Sequence, residues 1–436
     1  MSIEILAMMF LAGMLVAILI GLPVAIALGS VGLIGLFYMG GIQAFVILSG
    51  GTAMYQLSHF GLLAIPLFML LSAIIKASGI GTTIVDLVIN WLHRIPGVLH
   101  SAAVMSCAIF AAMSSSSVAT ATAVGGLILP EMKKRGHNLR LGIGSVAIGG
   151  TLGIMIPPSN YFILYGVLTE TSITKLFMAG IVPGLMIVSV MILFNTILFR
   201  FWPGLSPVED TKEAPTWSEK WRSFRRAWTG LVLIIAVVGG IFLGVVTPTE
   251  AGGLGAVIAL LIGLLVLKTI SKNDFVNILV EAVQTTSMIG FIIFGGLLLA
   301  RASTMMNLSA WLVGVITQSG LSPWEVMLLI NLLLLALGMF MDASAITMLT
   351  IPLLFPVIVE LGFDPIWFGV IVALNMELAL VTPPVGLNIF VLKAVAGVSL
   401  REAVLGTLPY AALLFACLGL LMLFPEIALW LPGFIE

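Results

Sequence analysis

Hydroxyls, one carboxylate and two proline pairs stand inside otherwise apolar sequence. Ser114, Ser115, Ser116 and Ser117 run together, with Thr120 and Thr122 just beyond them, and Pro157-Pro158 lies downstream. Asp342 sits in Met339-Phe-Met-Asp-Ala-Ser-Ala345, and Pro383-Pro384 lies downstream of that. Each double proline removes two backbone N–H donors and disfavours helix before it. The carbonyls of the preceding turns, Gly153 to Ile156 and Ala379 to Thr382, therefore lose their helical partners. Freed carbonyls and hydroxyls suit a hard cation such as sodium, and helix N-termini exposed at the same breaks suit carboxylates.

The two stretches are one pattern used twice. Met339 stands 339 − 113 = 226 positions after Met113. The same step carries Pro130 to Pro356, Gly136 to Gly362, Pro157-Pro158 to Pro383-Pro384 and Pro183 to Pro409, with no gap over about 70 residues. A serine run alone is often helix-packing glue, and a lone Pro-Pro is often a kink. In register across a repeat, they read together as paired ion pockets.

The elements that must position them are membrane helices. The 436 residues are 61% hydrophobic and 8% charged, with mean hydropathy +1.23. Soluble domains carry about 25% charged residues, so this is read as an all-α polytopic membrane protein. Net charge −1 without a basic stripe gives no ground for nucleic-acid binding. Cys107 and Cys417 lie in apolar runs and read as small hydrophobes. His59, His93, His100 and His137 do not cluster in sequence, and no nucleotide-binding loop or hydrolase motif occurs. The start lacks a basic n-region and is expected to be a retained first helix.

In chain order, spans are expected near 3–20, 23–39, 42–58 and 61–78, an amphipathic piece at 80–95, an interrupted segment at 98–135, a broken helix at 139–168 and a span at 180–202. A polar linker at 203–227 separates this half (1–202) from the second half (228–436). There, spans are expected near 228–247, 250–267 and 283–300, an amphipathic piece at 305–318, an interrupted segment at 323–360, a broken helix at 364–395 and a span at 403–424. Arg94, Lys133, Lys134, Arg135 and Arg140 flank 98–135, whereas only Glu325, Glu360 and Asp364 flank 323–360. Positive charge marks the cytoplasmic side. Both segments therefore read as re-entrant hairpins, entering from opposite faces, with tips at residues 114–117 and at Asp342. The expectation is eleven spans and two hairpins in an inverted-topology repeat, N-terminus inside. Lys175 and Arg301 do not fit this orientation.

Inverted repeats with broken helices are the signature of secondary transporters. An acid at membrane depth is a functional candidate by default, although Asp342 could simply be satisfied by nearby N–H groups. Arg301 could face an anionic substrate or reach to the interface. Asn160 and Asn388 could line the cavity or make helix–helix hydrogen bonds; for Asn375 and Glu377 the helix–helix role is expected. A membrane-embedded enzyme would need a second group to work with Asp342, and Glu377 is its only plausible partner. A passive channel would not need two ion pockets in register.

Four stretches carry a family resemblance that covers nearly the whole chain: Ser114-Ser-Ser-Ser-Val-Ala-Thr120, Ala147-Ile-Gly-Gly-Thr-Leu-Gly-Ile-Met-Ile-Pro-Pro-Ser159, Gly338-Met-Phe-Met-Asp342 and Leu380-Val-Thr-Pro-Pro-Val-Gly-Leu-Asn388. The sequence resembles the large membrane subunit of tripartite ATP-independent periplasmic (TRAP) transporters. That family often has glycine at the second tip position, where this chain has Ser115, and positive φ suits glycine better than serine. The resemblance implies a sodium-driven, elevator-type importer of organic acids such as C4-dicarboxylates or sialic acid, in a bacterial inner membrane. It implies a small membrane subunit and a periplasmic substrate-binding protein as partners. It places one sodium among Ser114, Ser116, Gly153, Ile156 and Pro158, and the repeat places a second near Asp342, Ala379, Thr382 and Pro384. Ser115, Ser117, Asn160, Arg301 and Asn388 are the expected substrate contacts. The moving unit would be 98–168 with 323–395, carried on a scaffold of the remaining helices. A stand-alone sodium/dicarboxylate symporter is the nearest alternative.

Overall fold

The computed structural model describes residues 3–205, 215–383 and 386–434. Among these, every regular element is helical. In the first half α1 (Ile3–Leu19), α2 (Val24–Ser58), α3 (Ala64–Ser78) and α4 (Ile80–Leu92) are followed by α5 (Val98–Ser114), α6 (Ser117–Lys134), α7 (Leu139–Met155), α8 (Asn160–Thr169) and α9 (Ile173–Phe201). The second half holds α10 (Trp217–Ile234), α11 (Gly240–Phe242), α12 (Pro248–Leu261), α13 (Lys272–Met305) and α14 (Leu308–Gln318). It continues through α15 (Pro323–Gly338), α16 (Ala343–Glu360), α17 (Pro365–Leu380), α18 (Leu387–Ala396) and α19 (Leu400–Leu423). Nine helical stretches among the described residues are long and apolar enough to cross a membrane.

The repeat of the sequence is a repeat of elements. Adding 226 to the bounds of α6 gives those of α16, 343–360; α4, α5, α7 and α8 map onto α14, α15, α17 and α18 to within about two residues. Outside the core of the repeat the halves are cut differently. The segments expected at 23–39 and 42–58 form one helix, α2, bent at Gly41 (φ 64°). Its partner segment is instead divided between α12 and α13. Conversely α13 runs 34 residues without interruption, where the first half is broken at His59 between α2 and a short turn before α3. Helix α9 starts at Ile173 rather than near 180. The linker expected to reach residue 227 ends sooner, because Thr216 and Glu219 form a capping box that starts α10 at Trp217.

Small residues let helices meet backbone to backbone, as membrane packing requires. Helix α2 lies along α13, with Gly32 pressed on the backbone of Leu298 and Leu299. Helix α7 lies on α19, where Gly144 and Gly406 leave no room for a Cβ: one at Gly406 would overlap the Arg140 carbonyl. The amphipathic α4 packs on α10. There burial pushes the Asp86 carboxyl above its ordinary range, against the pull of the Arg226 guanidinium.

The hairpins and broken helices are interlocked. Hairpin 1 (α5–α6) packs on α7, and hairpin 2 (α15–α16) packs on α17. The second half of each broken helix crosses over: α8 rests on α16 and α18 rests on α6. The joint α7–α17 contact closes this unit, while α13 and α3 border it at α16 and α5.

Candidate functional site

The first tip is built by the sequence around a chain reversal at two serines. Helix α5 ends at Ser114, and Ser115 after it takes a left-handed conformation (φ 53°, ψ 12°). Ser116 is extended and caps α6, its hydroxyl accepting from the Ala119 N–H at 3.4 Å. Ser114 Oγ lies 2.7 Å from Thr120 Oγ1, which donates to the Ser116 carbonyl at 2.8 Å. The tip is therefore a closed hydrogen-bonded knot, with Ser114, Ser115, Ser117 and Thr120 buried.

Serine at Ser115 is in a place where glycine would meet no steric penalty. A left-handed L-residue costs roughly 1–2 kcal/mol, and the buried Ser115 hydroxyl has no hydrogen-bond partner. Ser115→Gly is expected to raise stability by about 0.5–1 kcal/mol, read as a higher Tm of the detergent-purified protein. A lower Tm would mean that the side chain is held by something other than the fold described.

The break in α7 faces this knot. A Cβ on Gly153 would lie 2.9 Å from the Ser116 carbonyl carbon and 3.0 Å from the Ser117 nitrogen, so the two backbones touch. Helix α7 stops at Met155, and Ile156 is extended before Pro157-Pro158. Pro157 has no N–H for the Gly153 carbonyl. The next carbonyl, of Ile154, accepts the Ser159 hydroxyl at 2.5 Å. Two asparagines clamp the tip. Asn160, at the start of α8, donates to the Ser115 carbonyl at 3.2 Å, and Asn388, in α18, donates to Ser117 Oγ at 2.9 Å and the Ala147 carbonyl at 3.1 Å. The amide oxygens of both, Asn160 Oδ1 and Asn388 Oδ1, are buried without a partner.

The second tip is closed in another way. Asp342 caps α16, its Oδ1 accepting from the Ser344 and Ala345 N–H groups at 2.9 and 3.3 Å. Gly338 lies directly on Ala379 and has no room for a Cβ. The Ala379 carbonyl, denied Pro383, takes the Thr382 N–H at 3.3 Å, and the Thr382 hydroxyl donates to the Leu378 carbonyl at 2.6 Å. The second break is thus drawn tight by Thr382, while the first keeps the Gly153 carbonyl open. Pro384 lies outside the described residues.

Ser114, Ser115, Ser116, Ser117, Gly153, Asn160 and Asn388 thus gather at one tip, with Ile156 and Pro158 in the adjoining break. Asn375 joins two helices as expected, donating to Asn331 Oδ1 at 2.5 Å and to the Ile371 carbonyl at 2.8 Å. Glu377 is fully buried on α17. Arg301 stands apart, exposed on α13.

Beside the first tip a cavity of about 310 Å³ opens between α3, α6 and α13, walled by Met69, Phe110 and Val118. Of the residues singled out in the sequence, Ser116 and Thr122 line it. Lys76 and Glu281 line it too, paired at 2.7 Å. Sequence reading missed both; the available signal was a lone lysine inside the apolar run at 61–78.

Closely interlocked apolar helices with two polar reversals in their midst define a multi-pass membrane protein. The sequence matches the family described as "Tripartite ATP-independent periplasmic transporter, DctM component" over residues 11–427. The chain belongs to that family: it is a transport component and not an enzyme. It is 38% identical over 379 residues to a C4-dicarboxylate TRAP transporter large permease protein of Pseudomonas aeruginosa, covering 86% of this chain and 87% of that one. It is 32% identical to an isethionate TRAP transporter permease protein, DctMQ, of Oleidesulfovibrio alaskensis, covering 95% of this chain and 65% of that one. It is 30% identical to a sialic acid TRAP transporter large permease protein of Vibrio cholerae, covering 89% and 92%. Its fold is similar to that of the Alcanivorax borkumensis YdaH transporter, at TM-score 0.64 and 15% identity over 89% of this chain and 90% of that one.

Proposed function

We propose that this chain is the membrane-spanning import subunit of a sodium-coupled organic-acid transporter in the bacterial inner membrane. It takes its cargo from a periplasmic binding protein and works with a small membrane subunit. The observation that supports the reading best is the set of uncommitted buried oxygens at the first tip: the Gly153 carbonyl, Asn160 Oδ1 and Asn388 Oδ1, beside the Ser114 hydroxyl. Buried acceptors without donors are costly, and a dehydrated sodium ion satisfies several at once. Asp342 Oδ2, which has no hydrogen bond among the described residues, is the corresponding anionic oxygen at the second tip.

The tripartite family description and the large-permease names of the relatives support the two partners. The name DctMQ, borne by a relative longer than this chain, fits a small subunit fused in that protein. The relatives' named cargoes, C4-dicarboxylates, isethionate and sialic acid, are all small organic anions. In this reading α5–α8 with α15–α18 move as one body against α2, α3, α12 and α13, with α4 and α14 as connecting arms. Each sodium carried inward gains about 2.3 kcal/mol per 100 mV of membrane potential, in addition to its concentration gradient.

The test is uptake into proteoliposomes holding this chain and its small subunit, using labelled succinate, sialic acid and isethionate. Uptake is expected only with an inward sodium gradient and a cognate binding protein. Sodium-driven uptake without any binding protein would establish a stand-alone symporter. Uptake indifferent to sodium would overturn the ion-pocket reading.

A further inference from the structure

The cavity beside the first tip is chemically lopsided. Its hydroxyls on Thr122 and Thr285 are spent as donors to the Val118 and Glu281 carbonyls. The donors left to a guest are the Lys76 ammonium and the hydroxyls of Ser72 and Ser116. Helix α6 also begins in this wall, through Ser116, Val118 and Ala119, and its 18 residues turn their positive end toward the space. The ammonium, the two hydroxyl donors and the helix end favour a negative charge, against the Glu281 carboxylate in the same wall. What Lys76 holds at present is Glu281, at 2.7 Å, with the two side chains 59% and 47% exposed. An ion pair so open to water adds little to stability. It is a poor device for tying α3 to α13 and a good one for being exchanged.

We propose that Lys76 is the anchor for the cargo's carboxylate or sulfonate group, and that Glu281 is the counter-ion the cargo displaces on binding and that displaces the cargo on release. This rests on the transport function proposed above. The exchange leaves the cavity's charge balance tidy. The arriving anionic group takes the ammonium, and Glu281 swings into water, so the Lys76 charge keeps a partner throughout. Glu281 then competes with the cargo, which sets an upper bound on how tightly the cargo is held and lets it go on the inner side.

The two roles predict opposite signs. Lys76→Gln is expected to raise the KM for uptake at least tenfold, with Lys76→Arg close to the unaltered protein. Glu281→Gln is expected to lower KM several-fold and to slow maximal uptake, because release loses its competitor. The same signs are expected in detergent: the rise in Tm produced by the transported acid disappears in Lys76→Gln and grows in Glu281→Gln. A merely structural tie would shift both variants the same way, and the exchange Lys76→Glu with Glu281→Lys would then restore normal KM. Either result overturns the proposal while leaving sodium-driven uptake by the unaltered protein intact. If the unaltered protein took up none of the organic anions, the transport reading itself would fall.

Discussion

Gly153→Ala is expected to cut sodium-dependent uptake at least tenfold while the protein remains folded. The added methyl would lie 2.9 Å from the Ser116 carbonyl carbon, 3.0 Å from the Ser117 nitrogen and 3.1 Å from the Ser116 carbonyl oxygen. All three are backbone atoms of a tip already fixed by Asn160 and Asn388, so the tip and α7 must part by several tenths of an ångström. Overpacking of this kind costs about 1–3 kcal/mol. The oxygens around an ion must stay within about 0.5 Å of their places, and a loss of about 1.4 kcal/mol in ion binding is tenfold in affinity. The measurement is the sodium concentration for half-maximal uptake, expected to rise, beside a Tm that falls only modestly. An unchanged sodium dependence would remove Gly153 from the proposed ion site.

Gly406→Val is expected to act the other way round, on the fold rather than the ion. A Cβ there overlaps the Arg140 carbonyl, and at Gly144 one overlaps the Gly406 carbonyl. Helices α7 and α19 therefore touch main chain to main chain, at a place on α7 that is N-terminal to Gly153 and makes no contact with the tip serines. Separating them enough to admit valine costs about 3 kcal/mol or more, a large part of the roughly 5–15 kcal/mol that holds a protein folded. The expected result is little folded protein after detergent extraction, and normal sodium dependence in whatever survives. The pair of glycines thus separates a defect in function from a defect in assembly.

Much of this was legible in the sequence because the membrane restricts what an apolar chain can do. The double prolines located both helix breaks, the step of 226 located both tips, and Asn375 was correctly read as a helix–helix contact. The boundaries that moved did so for local reasons. A capping box at Thr216 and Glu219 started α10 early, and Gly41 bent one long helix where two spans were expected. Which asparagine would reach which tip was not legible. Asn388 lies in the second repeat, yet it clamps the first tip, because the second halves of the broken helices cross over. The Lys76–Glu281 pair was hidden for a similar reason: the residues are 205 positions apart, and only packing of α3 on α13 makes them neighbours.

That crossing has a consequence for how the protein is made. The Ser117 hydroxyl receives its Asn388 amide from 271 residues further along the chain. At ribosomal speeds of roughly 5–20 residues per second, the first hairpin waits roughly 15–55 s for the side chain that completes it. Until then the Ala147 carbonyl also lacks its Asn388 bond. The element nearest the start of the functional sequence is thereby one of the last to reach its final form, and a first half synthesised alone has nothing with which to finish it.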